Sequence, residues 1–306
     1  MSIKTNELQQ LQSILGTDSL LADTAAAGTG RLSLARAAEF FGAELVKPAN
    51  PVGAALSNKA ELWAPNFAIN WYLGNPINQR GEKIYSPIGN GVFCIDMWMG
   101  MNGPTVKLKD DCISFTQGAD WSYIRNAAEV SFKVGDTVTF SWLLRNSQNV
   151  KGYYRLSAFL YDGGISNSHM NHEHILGIAL SPGETKLFSH TVNCANPADF
   201  YSINLGVSNP AQPEPEVDLL AIKVELGSEQ TLARQNAAGN WVLIDPPPDP
   251  ALELLKCQRY FQTFTSESLR PANGADFRPV MRTKAPTLST LTLPDGTVLY
   301  TASSEL

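Results

Sequence analysis

Thr137-Val138-Thr139-Phe140-Ser141-Trp142 is the stretch that decides the fold class, because hydroxyl-bearing and large apolar residues alternate along it. A period of two residues sends the apolar side chains to one face of a β-strand and the polar ones to the other. The turn signals Val134-Gly135-Asp136 and Ser181-Pro182-Gly183-Glu184 lie on either side of it. The chain around this stretch is therefore expected to continue as half-buried strands separated by turns.

Short apolar and β-branched segments continue in both directions, from Trp63 to Gly227. The predicted strands are Val92–Met99, Thr105–Leu108, Ile113–Thr116, Trp121–Arg125, Thr137–Leu144, Tyr154–Tyr161, Ile175–Leu180, Thr185–Thr191, Tyr201–Val207 and Leu219–Leu226. Helical segments do not alternate with these strands in the sequence, which argues against a parallel α/β sheet. The sequence predicts a mainly β protein, with an antiparallel β-sandwich or jelly roll over residues 63–228.

The region before the predicted sandwich, residues 1–62, has a different pattern. Leu8, Leu11 and Leu15 stand three and four residues apart, as apolar residues do on one side of a helix. A short helical segment cannot bury such a stripe alone, so it needs a partner surface. We predict a short N-terminal helical region that serves attachment or oligomerisation.

The region after the sandwich, residues 229–306, begins as a proline-rich linker. A small helix is predicted to start at Ala251 after Asp249-Pro250, with Leu252 and Leu255 on its apolar side. A β-hairpin is predicted to pair residues 287–293 with residues 297–302 around a Pro-Asp-Gly turn.

Composition excludes several classes of partner. The 306-residue chain carries a formal net charge of −6 and has no run of Lys or Arg, so nucleic acid is not expected as a partner. No apolar stretch approaches the ~20 residues of a membrane-spanning helix. The start of the chain lacks the apolar centre of a signal peptide, so synthesis in a cytoplasm without membrane insertion is expected. Scattered cysteines are expected as buried free thiols rather than zinc ligands: Cys94, Cys112, Cys194 and Cys257.

Six stretches, taken in order, resemble a module of phage tail-fibre and prophage tail proteins. They are Asn70-Trp71-Tyr72-Leu73-Gly74-Asn75-Pro76-Ile77-Asn78-Gln79-Arg80-Gly81, Ile95-Asp96-Met97-Trp98, Ile222-Lys223-Val224-Glu225-Leu226-Gly227-Ser228, Glu253-Leu254-Leu255-Lys256-Cys257-Gln258-Arg259-Tyr260-Phe261, Arg278-Pro279-Val280-Met281-Arg282 and Tyr300-Thr301-Ala302-Ser303-Ser304-Glu305-Leu306. The resemblance implies a jelly roll like that of a carbohydrate-binding module, a place in the virion tail, and homotrimers. The segment after Phe261 is shorter than in the family, which implies less receptor-contacting surface.

The first of these stretches has a structural interpretation of its own. The planar guanidinium of Arg80 suits buried carbonyl or carboxylate groups, and Asn75 and Asn78 can satisfy backbone groups at a bend fixed by Pro76. We interpret the stretch as a brace across the sandwich, with a ligand site as the alternative.

No sequence motif marks an active site. The sequence contains no GxSxG, no phosphate-binding glycine loop and no HExxH, so we predict a protein that is not an enzyme. A polysaccharide depolymerase is the less favoured alternative, since the paired carboxylates of glycosidases are usually distant in sequence.

Three of the four histidines lie within six positions: His169, His172 and His174. On a strand, His172 and His174 would project from the same face, which suits one metal ion. The alternative is a polar loop between Tyr161 and Ile175, made flexible by Gly163 and Gly164. No cofactor is expected apart from this candidate metal site.

Aromatic residues provide the candidate glycan site, since sugars stack their CH faces on exposed rings. The candidates are Trp121, Tyr123, Tyr153, Tyr154 and Tyr161. Each ring can equally fill the sandwich core.

Together these observations predict a homotrimeric, receptor-contacting component of a virion tail. Residues 1–62 are expected to dock to other tail or baseplate proteins, and the sandwich is expected to contact a host-surface glycan without catalysis. A purely structural tail or baseplate spacer without a ligand is the alternative.

Overall fold

The computed structural model describes residues 65–119, 121–207 and 216–306. The predicted helical region, residues 1–62, lies outside the described residues. By their internal contacts, residues Ala64–Leu306 form one compact unit. The account below concerns that unit.

Seventeen strands are present among the described residues. They are β1 (Ile84–Tyr85), β2 (Val92–Phe93), β3 (Trp98–Met101), β4 (Thr105–Leu108), β5 (Ile113–Thr116), β6 (Tyr123–Phe132), β7 (Thr137–Arg145), β8 (Gly152–Tyr161), β9 (Met170–Leu180), β10 (Thr185–Asn193), β11 (Ala198–Val207), β12 (Glu216–Leu226), β13 (Ala233–Gln235), β14 (Trp241–Leu243), β15 (Phe261–Phe264), β16 (Thr287–Thr292) and β17 (Val298–Ser303). One α-helix, α1, spans Pro250–Gln258.

The strands form a two-layer antiparallel sandwich, which confirms the predicted fold class. The first sheet has the order β1-β4-β5-β12-β7-β10, and the second sheet has the order β2-β3-β6-β11-β8-β9. Consecutive strands from β5 to β8 alternate between the two sheets, so distant segments become neighbours. Between the sheets lies an apolar core that includes Phe140, Trp142 and Leu156. The alternation first noted at residues 137–142 thus places Phe140 and Trp142 in the core, as predicted.

Several predicted strands differ from the observed ones. The predicted strand Val92–Met99 is wrong in its middle, because a turn over residues 94–97 divides it into β2 and β3. The predicted strand Trp121–Arg125 is wrong at its start, because Trp121 has a φ of 62° and the strand begins at Tyr123. The predicted strand Ile175–Leu180 is too short, because β9 begins at Met170. The chain expected as a polar loop therefore forms a 3-10 turn at Asn167–His169 followed directly by a strand.

The outward side of the first sheet is covered by the chain that follows β12. Lys223, which is fully buried, donates from Nζ to Asp245 Oδ2 at 2.5 Å and to Thr231 Oγ1 at 2.7 Å. Glu225 on the same strand is also fully buried and accepts a hydrogen bond from the backbone N–H of Thr231 at 2.7 Å. The expectation of a linker is thus wrong for residues 229–245, since β13 and β14 pair with each other in a segment that the Lys223–Asp245 ion pair anchors to β12.

Helix α1 confirms the predicted start, because Asp249 accepts hydrogen bonds from the N–H groups of Ala251 and Leu252. Its predicted apolar side is wrong. Leu252 and Leu255 are 61% and 49% exposed, whereas Glu253 and Cys257 are buried. The helix turns Glu253 inward because its carboxylate accepts a hydrogen bond from the backbone N–H of Asn70.

The predicted C-terminal hairpin is confirmed, with β16 and β17 joined by a turn in which the Gly296 N–H donates to Leu293 O. A third strand, β15, completes this C-terminal sheet in the order β15-β17-β16. The four cysteines are buried and unpaired, as predicted. Among the described residues, no helix is both long and apolar enough to cross a membrane.

The predicted brace at Arg80 joins the sandwich to this C-terminal sheet. Arg80 is 8% exposed and donates to Asp96 Oδ1 at 2.9 Å and to the carboxylate of Glu305. Its guanidinium also lies 3.9 Å from the centre of the Phe261 ring on β15. Two buried carboxylates therefore share one cation. Burial raises the pKa of Asp96 to about 6 and that of Glu305 to about 7, although the nearby Arg80 opposes both shifts.

Candidate ligand-binding face

The outward side of the second sheet is the candidate site, and we call it the open face. Strand pairing fixes which residues stand side by side on it. From β3 to β9, one row is Met101, Tyr123, Gly206, Arg155 and Gly177; the next is Met99, Arg125, Asn204, Ser157 and Ile175; a third contains Ala127, Ser202, Phe159 and Glu173. Residues directly opposite in a ladder share a face, so each row presents its side chains together.

Trp121 stands at the edge of the open face and is 66% exposed. A local turn positions it: the Ser122 N–H donates to Ala119 O, and Asn102 Nδ2 donates to the carbonyl of Trp121 at 3.3 Å. Its φ of 62° lies in the left-handed region, which is costly for a large side chain. The fold therefore retains backbone strain to hold an exposed indole in place.

The indole of Trp121 stacks on Arg155, whose guanidinium carbon lies 4.1 Å from the ring centre. Gly206 separates Arg155 from Tyr123 in the first row and has no side chain to fill the space between them. The side chains of Trp121, Tyr123 and Arg155 thus meet at one end of the open face. The prediction that Trp121 and Tyr123 face the same way is confirmed, although a turn rather than strand alternation brings Trp121 there.

The middle of the open face is polar. Asn204 accepts a hydrogen bond from Ser202 Oγ at 3.3 Å, and Ser157 stands opposite it on β8. Arg125 flanks Asn204 on the other side and places its Nη2 2.9 Å from the sulfur of Met99. Asn204 and Ser157 are each 7% exposed, so they form the polar floor of the face, and the guanidinium of the partly exposed Arg125 is the group here that can fix the hydroxyl groups of a ligand.

Tyr161 lies at the far end of the open face, but it is only 5% exposed. Its ring stacks beside Phe159, and its hydroxyl lies 3.4 Å from Ser202 Oγ. Burial raises the pKa of this phenol. We conclude that Tyr161 is part of the floor, so the prediction that it contacts a ligand directly is corrected.

Tyr154 is not a ligand-binding residue, which corrects a second prediction. It points into the core, is fully buried, and donates from its hydroxyl to Glu216 O at 3.0 Å. Tyr153, the preceding residue on β8, points the opposite way and is 39% exposed, with Lys151 Nζ 5.4 Å from its ring centre. The alternation along β8 separates the two tyrosines, so only Tyr153 lies on the side of Arg155.

The predicted metal site is also corrected. His172 and His174 stand opposite the core residues Leu160 and Ala158, so they point between the sheets, whereas His169 belongs to the preceding 3-10 turn. His174 instead stacks on His190 of β10, with ring centres 3.3 Å apart and an interplanar angle of 5°. The described part of the chain contains no group of three side chains placed to ligate a metal.

The stacked arrangement of His174 and His190 favours the uncharged form of both imidazole rings. Burial lowers the pKa of His174 and of His190, and the neighbouring imidazole lowers the latter further. The unfolded chain therefore binds protons at higher pH than the folded chain. The contribution of the pair to stability is complete above the ordinary pKa of 6.5 and is lost as the pH falls through the lowered values.

A hollow of about 380 Å³ lies elsewhere, beside α1. Glu129 and Arg259 line it, and they already pair with each other at 2.9 Å. With its charged groups paired in this way, the hollow offers less chemistry to a ligand than the open face.

Sequence reasoning missed Arg125, Arg155 and Asn204. A signal for the first two was present, since Arg125 stands two residues after Tyr123 and Arg155 two residues after Tyr153, which predicts a shared face on a strand. No such signal marks Asn204, because its neighbours on the face belong to other strands.

Comparisons with known proteins concern the fold. No protein-family model and no curated protein matches the sequence. Solved structures similar to the chain include a CBM4 carbohydrate-binding module (11% identity, 43% of this chain and 88% of that chain, TM-score 0.33). Another is the CBM22-2 xylan-binding domain of Paenibacillus barcinonensis Xyn10C (8%, 47% and 98%, 0.34). Tailspike protein 4 of bacteriophage CBA120 is also similar (9%, 47% of this chain and 19% of that chain, 0.29). The fold stated above rests on the sheet order of the chain itself.

Proposed function

We propose that this chain is a non-catalytic, receptor-contacting component of a phage-type tail, and that its open face binds a host-surface glycan. The observation that carries the proposal is Trp121, an exposed indole held at a positive φ and stacked on Arg155, next to a polar row on a rigid sheet. Sugars bind proteins by stacking their CH faces on such rings while amide and charged groups fix their hydroxyls.

The polar row supports the same proposal. Asn204 and Ser157, both largely buried, belong to neighbouring strands of one sheet, so the position of the polar floor is set by the backbone ladder rather than by a loop. Groups on strands are held more precisely than groups on loops, and a pre-organised site loses less entropy when a ligand binds.

Replacing Trp121 with alanine is expected to weaken glycan binding by about tenfold or more, because a central aromatic contact is lost. Binding is measured by calorimetry with a host-surface polysaccharide that the full chain recognises on a glycan array. Leu252→Ala is the matched control, since Leu252 is also exposed (61%) but lies on α1. Equal affinities of the wild type and the Trp121→Ala variant would remove the open face as the site, and release of reducing ends by the wild type would contradict a non-catalytic role.

The assembly is part of the proposal: a homotrimer that docks to other tail or baseplate proteins through residues 1–62. Strand β16 supports it, because this edge strand of the C-terminal sheet is exposed at five of its six residues and edge strands offer unpaired backbone groups. Light scattering is expected to give three times the 33.3 kDa of one chain. A trimer that survives deletion of residues 1–62 places assembly in the remaining chain, and a full-length monomer overturns the trimer.

A further inference from the structure

Two arginines on the open face have no carboxylate partner among the described residues. Arg125 of β6 and Arg155 of β8 lie on either side of β11, one row apart. Two strand spacings separate them, about 10 Å across the sheet. Every ion pair found among the described residues joins a Lys or Arg to an Asp or Glu, and none of these pairs includes Arg125 or Arg155.

Arg125 is incompletely satisfied within the protein. Its Nε is buried without a hydrogen-bond partner among the described residues, and the contact found for its Nη2 is the weakly accepting sulfur of Met99. A guanidinium carries five N–H donors in a fixed fork that matches a carboxylate. An unpaired buried donor is unfavourable, so the guanidinium of Arg125 gains from a ligand acceptor that reaches its remaining N–H groups.

Arg155 remains available for a second anionic contact. Its stacking on Trp121 uses the flat face of the guanidinium and leaves the N–H groups at its edge free to donate in the plane. Partial burial lowers the pKa of Arg155, which reflects the cost of removing this cation from water. The same partial desolvation strengthens its attraction to an anion.

The two acidic residues that the structure describes on the open face form no ion pair with these cations. Glu129 pairs with Arg259 at 2.9 Å, and Glu173 stands in the third row on the edge strand β9, exposed to solvent. The chain as a whole has a formal net charge of −6, so a pair of uncompensated arginines on one face runs against its general charge. A neutral sugar would not need them.

We propose that the open face selects an acidic polysaccharide, with sugar carboxylates bound by Arg125 and Arg155 while a ring of the same glycan stacks on Trp121. This inference rests on the proposed function, because it assumes that the open face binds a glycan. It adds the chemical class of that glycan, one that carries uronate or sialate groups.

The test compares acidic polymers with neutral polymers of the same backbone. Alginate, polygalacturonate, hyaluronate and polysialate are each titrated into the full chain, both as such and after reduction of their carboxyl groups to alcohols. At least one acidic polymer is expected to bind, and its reduced form is expected to bind about tenfold or more weakly, since charge-assisted hydrogen bonds are lost. The affinity for the acidic form is also expected to fall as the salt concentration is raised from about 0.05 M to about 0.5 M, because salt screens the attraction between the arginines and the carboxylates.

Variants assign the effect to the two arginines. Arg125→Gln and Arg155→Gln are expected to weaken binding of the acidic polymer about tenfold each and to weaken binding of its reduced form much less, because the reduced form has no carboxylate to lose. Arg155→Lys keeps the charge but not the fork and is expected to fall between the wild type and Arg155→Gln. Arg234→Gln, at an exposed arginine on β13, is the control and is expected to bind like the wild type.

The outcomes separate this inference from the proposed function. Equal binding of acidic and reduced polymers overturns the selection for acidic glycans but leaves glycan binding intact. If no polymer binds in either form and no host polysaccharide binds on the array, the proposed function itself is overturned. Acidic binding that survives both arginine substitutions overturns the assignment of the carboxylates to Arg125 and Arg155.

Discussion

Replacing Arg80 with methionine is expected to lower the free energy of unfolding by about 3–5 kcal/mol at pH 8, because removal of one partner leaves buried charge uncompensated. Asp96 is fully buried, the side chain of Glu305 is 4% exposed, and both carboxylates bind the same guanidinium. The loss is expected to be smaller at pH 5, where protonation removes the uncompensated charge. Urea unfolding followed by tryptophan fluorescence at both pH values measures the difference.

A second variant at the same site checks the sign of this pH dependence. Burial raises the pKa of Asp96 from 3.8 to about 6 and that of Glu305 from 4.5 to about 7. A folded-state pKa above the unfolded value means that stability is greatest at low pH and is lost as the pH rises through about 6 to 7. Glu305→Gln removes one of the two charges and is therefore expected to flatten the decline between pH 5 and pH 8.

Controls distinguish charge from packing at Arg80. The triple variant with Arg80→Met, Asp96→Asn and Glu305→Gln is expected to recover much of the lost stability, because no buried charge remains unpaired. Arg234→Met replaces an exposed arginine and is expected to change the free energy of unfolding by less than about 0.5 kcal/mol. A full loss in the triple variant would show that Arg80 acts through its packing on Phe261 instead.

Replacing Lys223 with methionine is expected to have a similar effect, about 3–5 kcal/mol, at a separate site. Lys223 and Glu225 are both fully buried on β12, with their charged groups 3.5 Å apart, and Asp245 supplies a second carboxylate at 2.5 Å. Without the ammonium group, Glu225 keeps only its contacts with Thr231 and the site has a net negative charge. Chemical denaturation measures the loss.

Hydrogen exchange locates the effect of Lys223→Met. Because Lys223 and Glu225 anchor the segment that contains β13 and β14, amides of Ala233–Gln235 and Trp241–Leu243 are expected to lose protection first. Lys186→Met is the matched control, since Lys186 is 48% exposed and lies 4.0 Å from Glu184. An exposed pair of that kind contributes about 0–1 kcal/mol. Unchanged protection in β13 and β14 would contradict the anchoring role.

The fold class was predictable because it depends on local periodicity. Alternation at residues 137–142 and turn residues at regular intervals identified an antiparallel sandwich, and Pro294-Asp295-Gly296 identified the C-terminal hairpin. The start of α1 followed from the capping residue Asp249. The side of α1 that is buried did not follow, because it depends on the pairing of Glu253 with the backbone of Asn70, 183 positions away.

The candidate site was predictable only in part. The sequence identified Trp121 and Tyr123 as possible platform residues. Both Tyr153 and Tyr154 were predicted to bind the ligand, although alternation along a strand places them on opposite faces. The sequence could not show that Tyr161 lies under its neighbours or that His174 would meet His190 instead of His169. Both outcomes depend on which strands become neighbours across the sandwich, and strand order isn't encoded in any local pattern.

The sequence by itself therefore determined many elements of this protein: the longer strands of the sandwich, the C-terminal hairpin, the cap of its one described helix and the burial of its cysteines. These follow from the preferences of residues close together in the chain. Only the tertiary structure decided which side chains meet: Arg80 with Asp96 and Glu305, and Trp121 with Arg155. The physical reason is that strands from distant parts of the chain pair across the two sheets, so the chemistry of the open face arises from register and sheet order rather than from sequence spacing.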